Sequence, residues 1–69
     1  MKVSVAQRLK EIRKENGLTQ EQFGNKLSVS QDTVSLWEKG VSSPSVETVI
    51  AIAEIFGLTA DYILGLSEY

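Results

Sequence analysis

Sixty-nine residues with seven Lys and Arg against nine Asp and Glu, a net charge of −2, predict one small domain with no separate effector half, so any sensing is expected in another chain. The absence of Cys and His excludes disulfides, Cys- or His-ligated zinc, and Ser-His or Cys-His nucleophilic sites. The apolar stretches, such as 49–53, fall far short of the ~20 residues a membrane span requires, and the start lacks a signal-peptide apolar core, which predicts a soluble cytoplasmic chain.

Ser4 with Gln7 matches an S-x-x-Q capping box, and Val5, Leu9 and Ile12 recur at helical spacing, so a first helix is predicted over Val5–Glu15 and stopped by Asn16-Gly17. Thr19 with Gln22 repeats the box, flanked by a Leu18/Phe23 staple, and predicts a second helix over Gln20–Leu27. After the brief Ser28-Val29 connection Ser30 caps a third helix, with Val29 and Val34 as its staple, that runs to Lys39 and ends at Gly40. Residues 41–44 read as a loop; Ser45 then caps a fourth helix with Val46, Val49, Ile50, Ala53 and Phe56 as its apolar stripe, closed by Gly57. Leu58, Thr59 and Ile63 give a last staple and cap, for a short fifth helix over Ala60–Leu64 before Gly65. Phe23, Leu27, Val34, Trp37, Ile50 and Phe56 are the expected core. The fold class is therefore all-α: five short helices, with the tightest joint between the second and third.

The charges are unevenly placed. Residues 1–40 hold all seven bases (Lys2, Arg8, Lys10, Arg13, Lys14, Lys26, Lys39) against five acids, a balance of +2. Residues 41–69 hold Glu47, Glu54, Asp61 and Glu68 and no base, a balance of −4. This suits a molecule whose first part faces phosphate and whose last part faces a partner or solvent.

The run from Gly17-Leu18-Thr19-Gln20 through Phe23, then Ser30-Gln31-Asp32-Thr33-Val34-Ser35-Leu36-Trp37-Glu38-Lys39-Gly40, then Pro44-Ser45-Val46-Glu47-Thr48, resembles the lambda-repressor-like (Cro/C1-type, XRE) helix-turn-helix DNA-binding family in order and spacing. The tail from Phe56 to Gly65 is similar to the usual end of that domain, so the likeness covers almost the whole chain. One departure is Gly24, where the family more often has Ala; it admits a close approach of the third helix.

The resemblance implies that residues 1–69 form a single helix-turn-helix domain, with the motif at about 19–39, in a compact five-helix bundle. It implies a third helix lying in the major groove of double-stranded DNA. Base-reading then falls to Gln31, Asp32, Ser35 and Leu36. A Gln amide accepts from adenine N6 and donates to N7; Asp32 either accepts from cytosine N4 or repels phosphates at wrong sites; Leu36 can touch only a thymine methyl or a sugar, or else packs against the second helix. Gln20, at a helix start where free amides favour an anion, is a phosphate contact with Ser30, Lys39 and Ser42. Arg13 and Glu38 are implied to form a structural ion pair that orients the reading helix. Trp37 is read as core, not as a stacking platform.

The expected activity is sequence-specific transcriptional regulation, as a repressor that binds a palindromic operator as a homodimer through the C-terminal helix and tail, where Tyr62, Leu64, Leu66 and Tyr69 offer apolar groups. The alternative is a protein-interaction module on the same fold, such as an antitoxin or antirepressor. No catalytic residues, metal, cofactor, small-molecule ligand or membrane contact are expected, and the working place is the cytoplasm, at the nucleoid.

Overall fold

Every helix starts at a hydroxyl and stops at a left-handed residue. Ser4, Thr19, Ser30, Ser45 and Thr59 are extended and stand ahead of α1 (Val5–Glu15), α2 (Gln20–Leu27), α3 (Gln31–Glu38), α4 (Val46–Phe56) and α5 (Ala60–Ile63); each side-chain oxygen accepts the amide of the third residue on. At Ser4 and Thr19 the capping box is complete, with the Ser4 and Thr19 amides donating to Gln7 Oε1 (3.2 Å) and Gln22 Oε1 (2.9 Å). At the other ends Gly17, Ser28, Gly40, Gly57 and Gly65 take positive φ. The following amide then donates five residues back: Leu18 to Arg13, Val29 to Gly24, Val41 to Leu36, Leu58 to Ala53 and Leu66 to Asp61, at 2.8–3.1 Å. These are Schellman ends, which satisfy carbonyls that a helix otherwise leaves open.

The computed structural model describes residues 3–69; Met1 and Lys2, the latter one of the seven bases, lie outside the described residues. All regular structure among the described residues is helical, and no helix there is long and apolar enough to cross a membrane. Lys39 and Leu64, expected as last helical residues, are instead the cap residues of α3 and α5. They bond to the helix while already leaving it.

The core is built from one face of each helix: Leu9 and Ile12, Phe23, Val34 and Trp37, Val49 and Ile52, and Ile63. The Phe23 and Phe56 rings stack across α2 and α4 at 5.5 Å. Leu27 and Phe56 are partly buried, but Ile50 is 49% exposed and does not belong to the core; Ile52, fully buried, takes the place expected of it. Apolar residues line α4 on nearly every side, so helical spacing alone does not select its inward face.

Two close approaches set the packing. A Cβ on Gly24 would stand 2.7 Å from the Val29 carbonyl oxygen and 3.3 Å from that of Ser30. The glycine therefore makes room for the turn between α2 and α3, rather than for α3 itself as expected. At the other end, a Cβ on Gly65 would collide with the carbonyl of Val3, so the N-terminal segment lies directly on the exit of α5. Beside it, the buried Arg8 guanidinium sits 3.9 Å from the Tyr62 ring centroid and reaches Glu11 at 3.4 Å, while its Nε has no acceptor among the described residues. The flat face of an arginine against an aromatic ring ties α1 to α5. Tyr62, expected on an outer apolar surface, is thus half-buried beneath Arg8.

Candidate nucleic-acid interface

Val34 and Trp37, three residues apart, turn one side of α3 into the core and are 0% and 5% exposed. A helix fixed that way presents its opposite side outward. Gln31 and Asp32 are exposed in its first turn, Ser35 is half-buried, and Leu36 is 41% exposed. Asp32, Ser35 and Leu36 follow at three- and four-residue spacing, so the structure brings the four expected base-reading residues into one continuous outer strip.

The joint that aims this strip is a cluster around one carboxylate. Arg13 Nε donates to Glu38 Oε2 at 2.7 Å and Arg13 Nη2 to Glu38 Oε1 at 3.0 Å, a side-on two-point pair, while Nη1 donates to the Leu18 carbonyl at 3.0 Å. Gln20 Nε2 adds a bond to Glu38 Oε1 at 3.3 Å. The end of α1, the loop before α2, the first residue of α2 and the last of α3 are thereby clamped at one point. Burial acts to raise the Glu38 carboxyl; the hydrogen bonds from Arg13 and Gln20, with the charges of Arg13 and Lys10, outweigh it and hold the carboxyl below its ordinary value. Arg13 is raised in turn, chiefly by its hydrogen bond to Glu38, against its own burial. Its side chain is 13% exposed and that of Glu38 only 6%, so water screens the pair little.

The four expected phosphate contacts are placed less uniformly. The Gln20 side chain is half-buried and engaged with Glu38, which leaves its backbone amide, at the first position of α2, as the group facing outward from the helix start. The Ser30 hydroxyl is taken up by its cap: it accepts from the Thr33 amide at 3.2 Å and pairs with the Thr33 hydroxyl at 3.0 Å. Lys39 and Ser42 are exposed on the stretch that leaves α3. The Ser42 amide is bound back to the Leu36 carbonyl at 3.4 Å, which holds that stretch against the helix end. Among the described residues no group of three or more acids has the arrangement of a metal site.

Sequence reasoning missed the outer position of Val41, 70% exposed immediately after Gly40. The Gly40 stop was its available signal, because a residue that opens a surface loop has no helix face to carry it into the core.

A helix-turn-helix family profile matches residues 9–63. The chain is 30% identical over 66 residues to the transcriptional regulator ImmR of Bacillus subtilis, covering 96% of this chain and 52% of ImmR. It is 36% identical over 63 residues to the immunity repressor protein of Bacillus phage phi105, covering 91% of this chain and 44% of that protein. The chain thus spans about half the length of these curated relatives. Among solved structures, the P22 c2 repressor in complex with a synthetic operator superposes with a TM-score of 0.84 at 25% identity, covering 94% of this chain and 98% of that one. A transcriptional regulator from Listeria innocua gives 0.87 at 29% identity, covering 100% and 64%.

Proposed function

Because the chain belongs to the lambda-repressor-like (XRE-type) helix-turn-helix family of regulators, we propose that α3 enters the major groove and reads an operator, and that the protein represses transcription by covering it. The observation that carries this reading is the outer strip of α3, polar at Gln31 and Asp32, held at a fixed angle by the Arg13–Glu38 clamp. The α2 start, Ser30, Lys39 and Ser42 flank the strip and meet phosphates on either side. A relative named as an immunity repressor and a repressor neighbour seated on operator DNA support operator binding. The protein works in the cytoplasm, at the nucleoid.

The working form is a homodimer on a palindrome. A single module of this kind buries only about 600–1,000 Å² on DNA. The body is 28 Å along its longest principal axis, less than the ~34 Å between half-sites one helical turn apart. One copy therefore reaches one half-site. The apolar side chains for the dimer contact are Leu64, Leu66 and Tyr69, exposed on the α5 cap and the tail that follows it. Next to them lies an apolar groove of about 170 Å³ lined by Pro44, Val46, Val49, Ile50, Ala60 and Leu64.

Selection of duplexes from a random pool at about 100 mM salt, where counterions compete with weak phosphate binding, tests this reading. Enrichment of an inverted repeat is expected, with Gln31→Ala losing about 1–3 kcal/mol at one position of each half-site. The same groove and the base-free second half of the chain favour a second reading, docking of a protein. A folded sample that enriches nothing overturns the operator reading in favour of that one.

A further inference from the structure

The turn that ends α1 requires a glycine, Gly17 at φ +67, and that glycine completes the only Asn-Gly pair in the chain. The other asparagine, Asn25, precedes Lys26 inside α2. In an Asn-Gly pair the side-chain amide is open to attack by the next backbone nitrogen, because glycine has no Cβ to shield that nitrogen or to restrict its approach. Both Asn16 and Gly17 are exposed, and nothing stands within 4 Å of where a Gly17 Cβ would be. Three hydrogen bonds hold the pair in the folded protein. Asn16 Nδ2 donates to the Ile12 carbonyl at 2.7 Å, the Asn16 amide to the same carbonyl at 3.2 Å, and the Gly17 amide to the Lys14 carbonyl at 3.0 Å.

We infer that Asn16 is a modification site, converting without an enzyme to aspartate and isoaspartate, and that the last turn of α1 is the gate that sets its rate. Base removes the Gly17 amide proton and the nitrogen attacks Asn16 Cγ; that C–N bond forms, the Cγ–Nδ2 bond breaks, and ammonia leaves a cyclic succinimide. Water opens the ring at either carbonyl, giving aspartate or, with the main chain rerouted through Cγ, isoaspartate; nothing is oxidised or reduced. In the fold Nδ2 is turned back toward Ile12 and the Gly17 proton is held by the Lys14 carbonyl, so the reaction requires that turn to open. The products bear on the clamp through the next residue. The Leu18 amide donates to the Arg13 carbonyl at 3.1 Å, and the Leu18 carbonyl accepts from Arg13 Nη1 at 3.0 Å. Isoaspartate lengthens the main chain by one carbon just ahead of Leu18. Either product puts a carboxylate at the negative end of α1, where the Ile12 carbonyl has lost a side-chain donor. Arg13 thereby loses its hold on Leu18. On the DNA-reading function proposed above, α3 is then less firmly aimed.

The test incubates the folded protein at mildly alkaline pH beside a sample unfolded in guanidinium chloride. Trypsin releases residues 15–26, which carry both asparagines, so Asn25 is the comparator within one peptide. Fragmentation mass spectrometry is expected to place the amide-to-acid mass change at residue 16 and not at 25. The change is expected to run about tenfold or more faster in the unfolded sample, the factor for an opening that costs about 1.4 kcal/mol. Labelling by protein isoaspartyl methyltransferase counts the isoaspartate. Conversion at 16 no faster than at 25 in the unfolded sample overturns the site, and equal rates in the folded and unfolded samples overturn the gate. Asn16→Gln, which must close a larger ring, is expected to stay unconverted, and its conversion at the same rate overturns the succinimide route. The converted protein is separated by anion exchange through its added negative charge. It is expected to melt lower and bind the selected duplex more weakly than Asn16→Asp, which carries the charge without the added carbon. Converted protein that melts and binds like the wild type overturns the link to the clamp, and Asn16→Asp as impaired as the isoaspartyl form overturns the main-chain part of it. Mass and melting are read without DNA, so failure to enrich any duplex overturns the operator reading and leaves the modification site standing.

Discussion

Glu38 satisfies two guanidinium nitrogens of Arg13 on α1 and one side-chain amide of Gln20 on α2, so its charge state decides whether the reading helix stays aimed. Its carboxyl is held below the ordinary value of 4.5. The ionised form is therefore the one the fold favours; its stabilisation is complete above the ordinary value and is lost as pH falls through the lowered one. Urea unfolding between pH 6 and 3 should show this loss, and Glu38→Gln should flatten it while lowering stability at neutral pH. A variant that keeps the wild-type acid slope contradicts the assignment. Arg13→Ala strands the carboxylate and should cost about 3 kcal/mol or more, against a total of only about 3–10 kcal/mol for a domain of this size. This pair was legible in the sequence only through family resemblance, because 25 residues separate its members and neither belongs to a local pattern. Arg8 was not legible at all. A basic residue on α1 reads as solvated, and the ring that covers it arrives from α5, 54 positions on.

At the scale of the element, the five helix starts could be read to the residue, because each depends on a hydroxyl and an amide three positions apart. The ends could be read where glycine marks them. The end of α2 is the exception: Ser28, at φ 59, holds the left-handed position the other helices give to glycine. Ser28→Gly should therefore stabilise the protein by about 0.5–1 kcal/mol, the usual relief of a side chain from that region less the added freedom of the unfolded chain. Its neighbour predicts the opposite. Gly24→Ala gains helix propensity but puts a methyl 2.7 Å from backbone oxygen that cannot swing away, for a net loss of about 1–2 kcal/mol. Thermal melts of the two variants should move in opposite directions, and a Gly24→Ala variant as stable as wild type would show that the turn yields easily. The inward face of α4 escaped sequence reasoning because Ile50 and Ile52 are chemically the same; only the neighbours supplied by α2 and α5 distinguish them.

For the whole molecule, the base-free half of the chain carries both the exposed apolar tail and four acids, Asp61 and Glu68 among them. Two copies meeting through that half repel, and salt screens the repulsion within about 10 Å at 0.1 M. Added salt should therefore strengthen self-association while it weakens DNA binding. Sedimentation equilibrium and anisotropy titrations between about 50 and 300 mM salt should show opposite slopes; parallel slopes place the dimer contact elsewhere. Truncation after Gly65 should return the protein to a folded monomer, and a truncated chain that still sediments as a dimer removes the tail from the interface. The helix boundaries have a consequence in time. Each start and stop is signalled within six residues of itself, so little of the chain waits on distant partners before ordering. Helical proteins built this way refold in microseconds to milliseconds. Where reclosing outpaces cleavage by a protease, the lifetime of the chain follows the equilibrium population of the open form rather than the rate of opening.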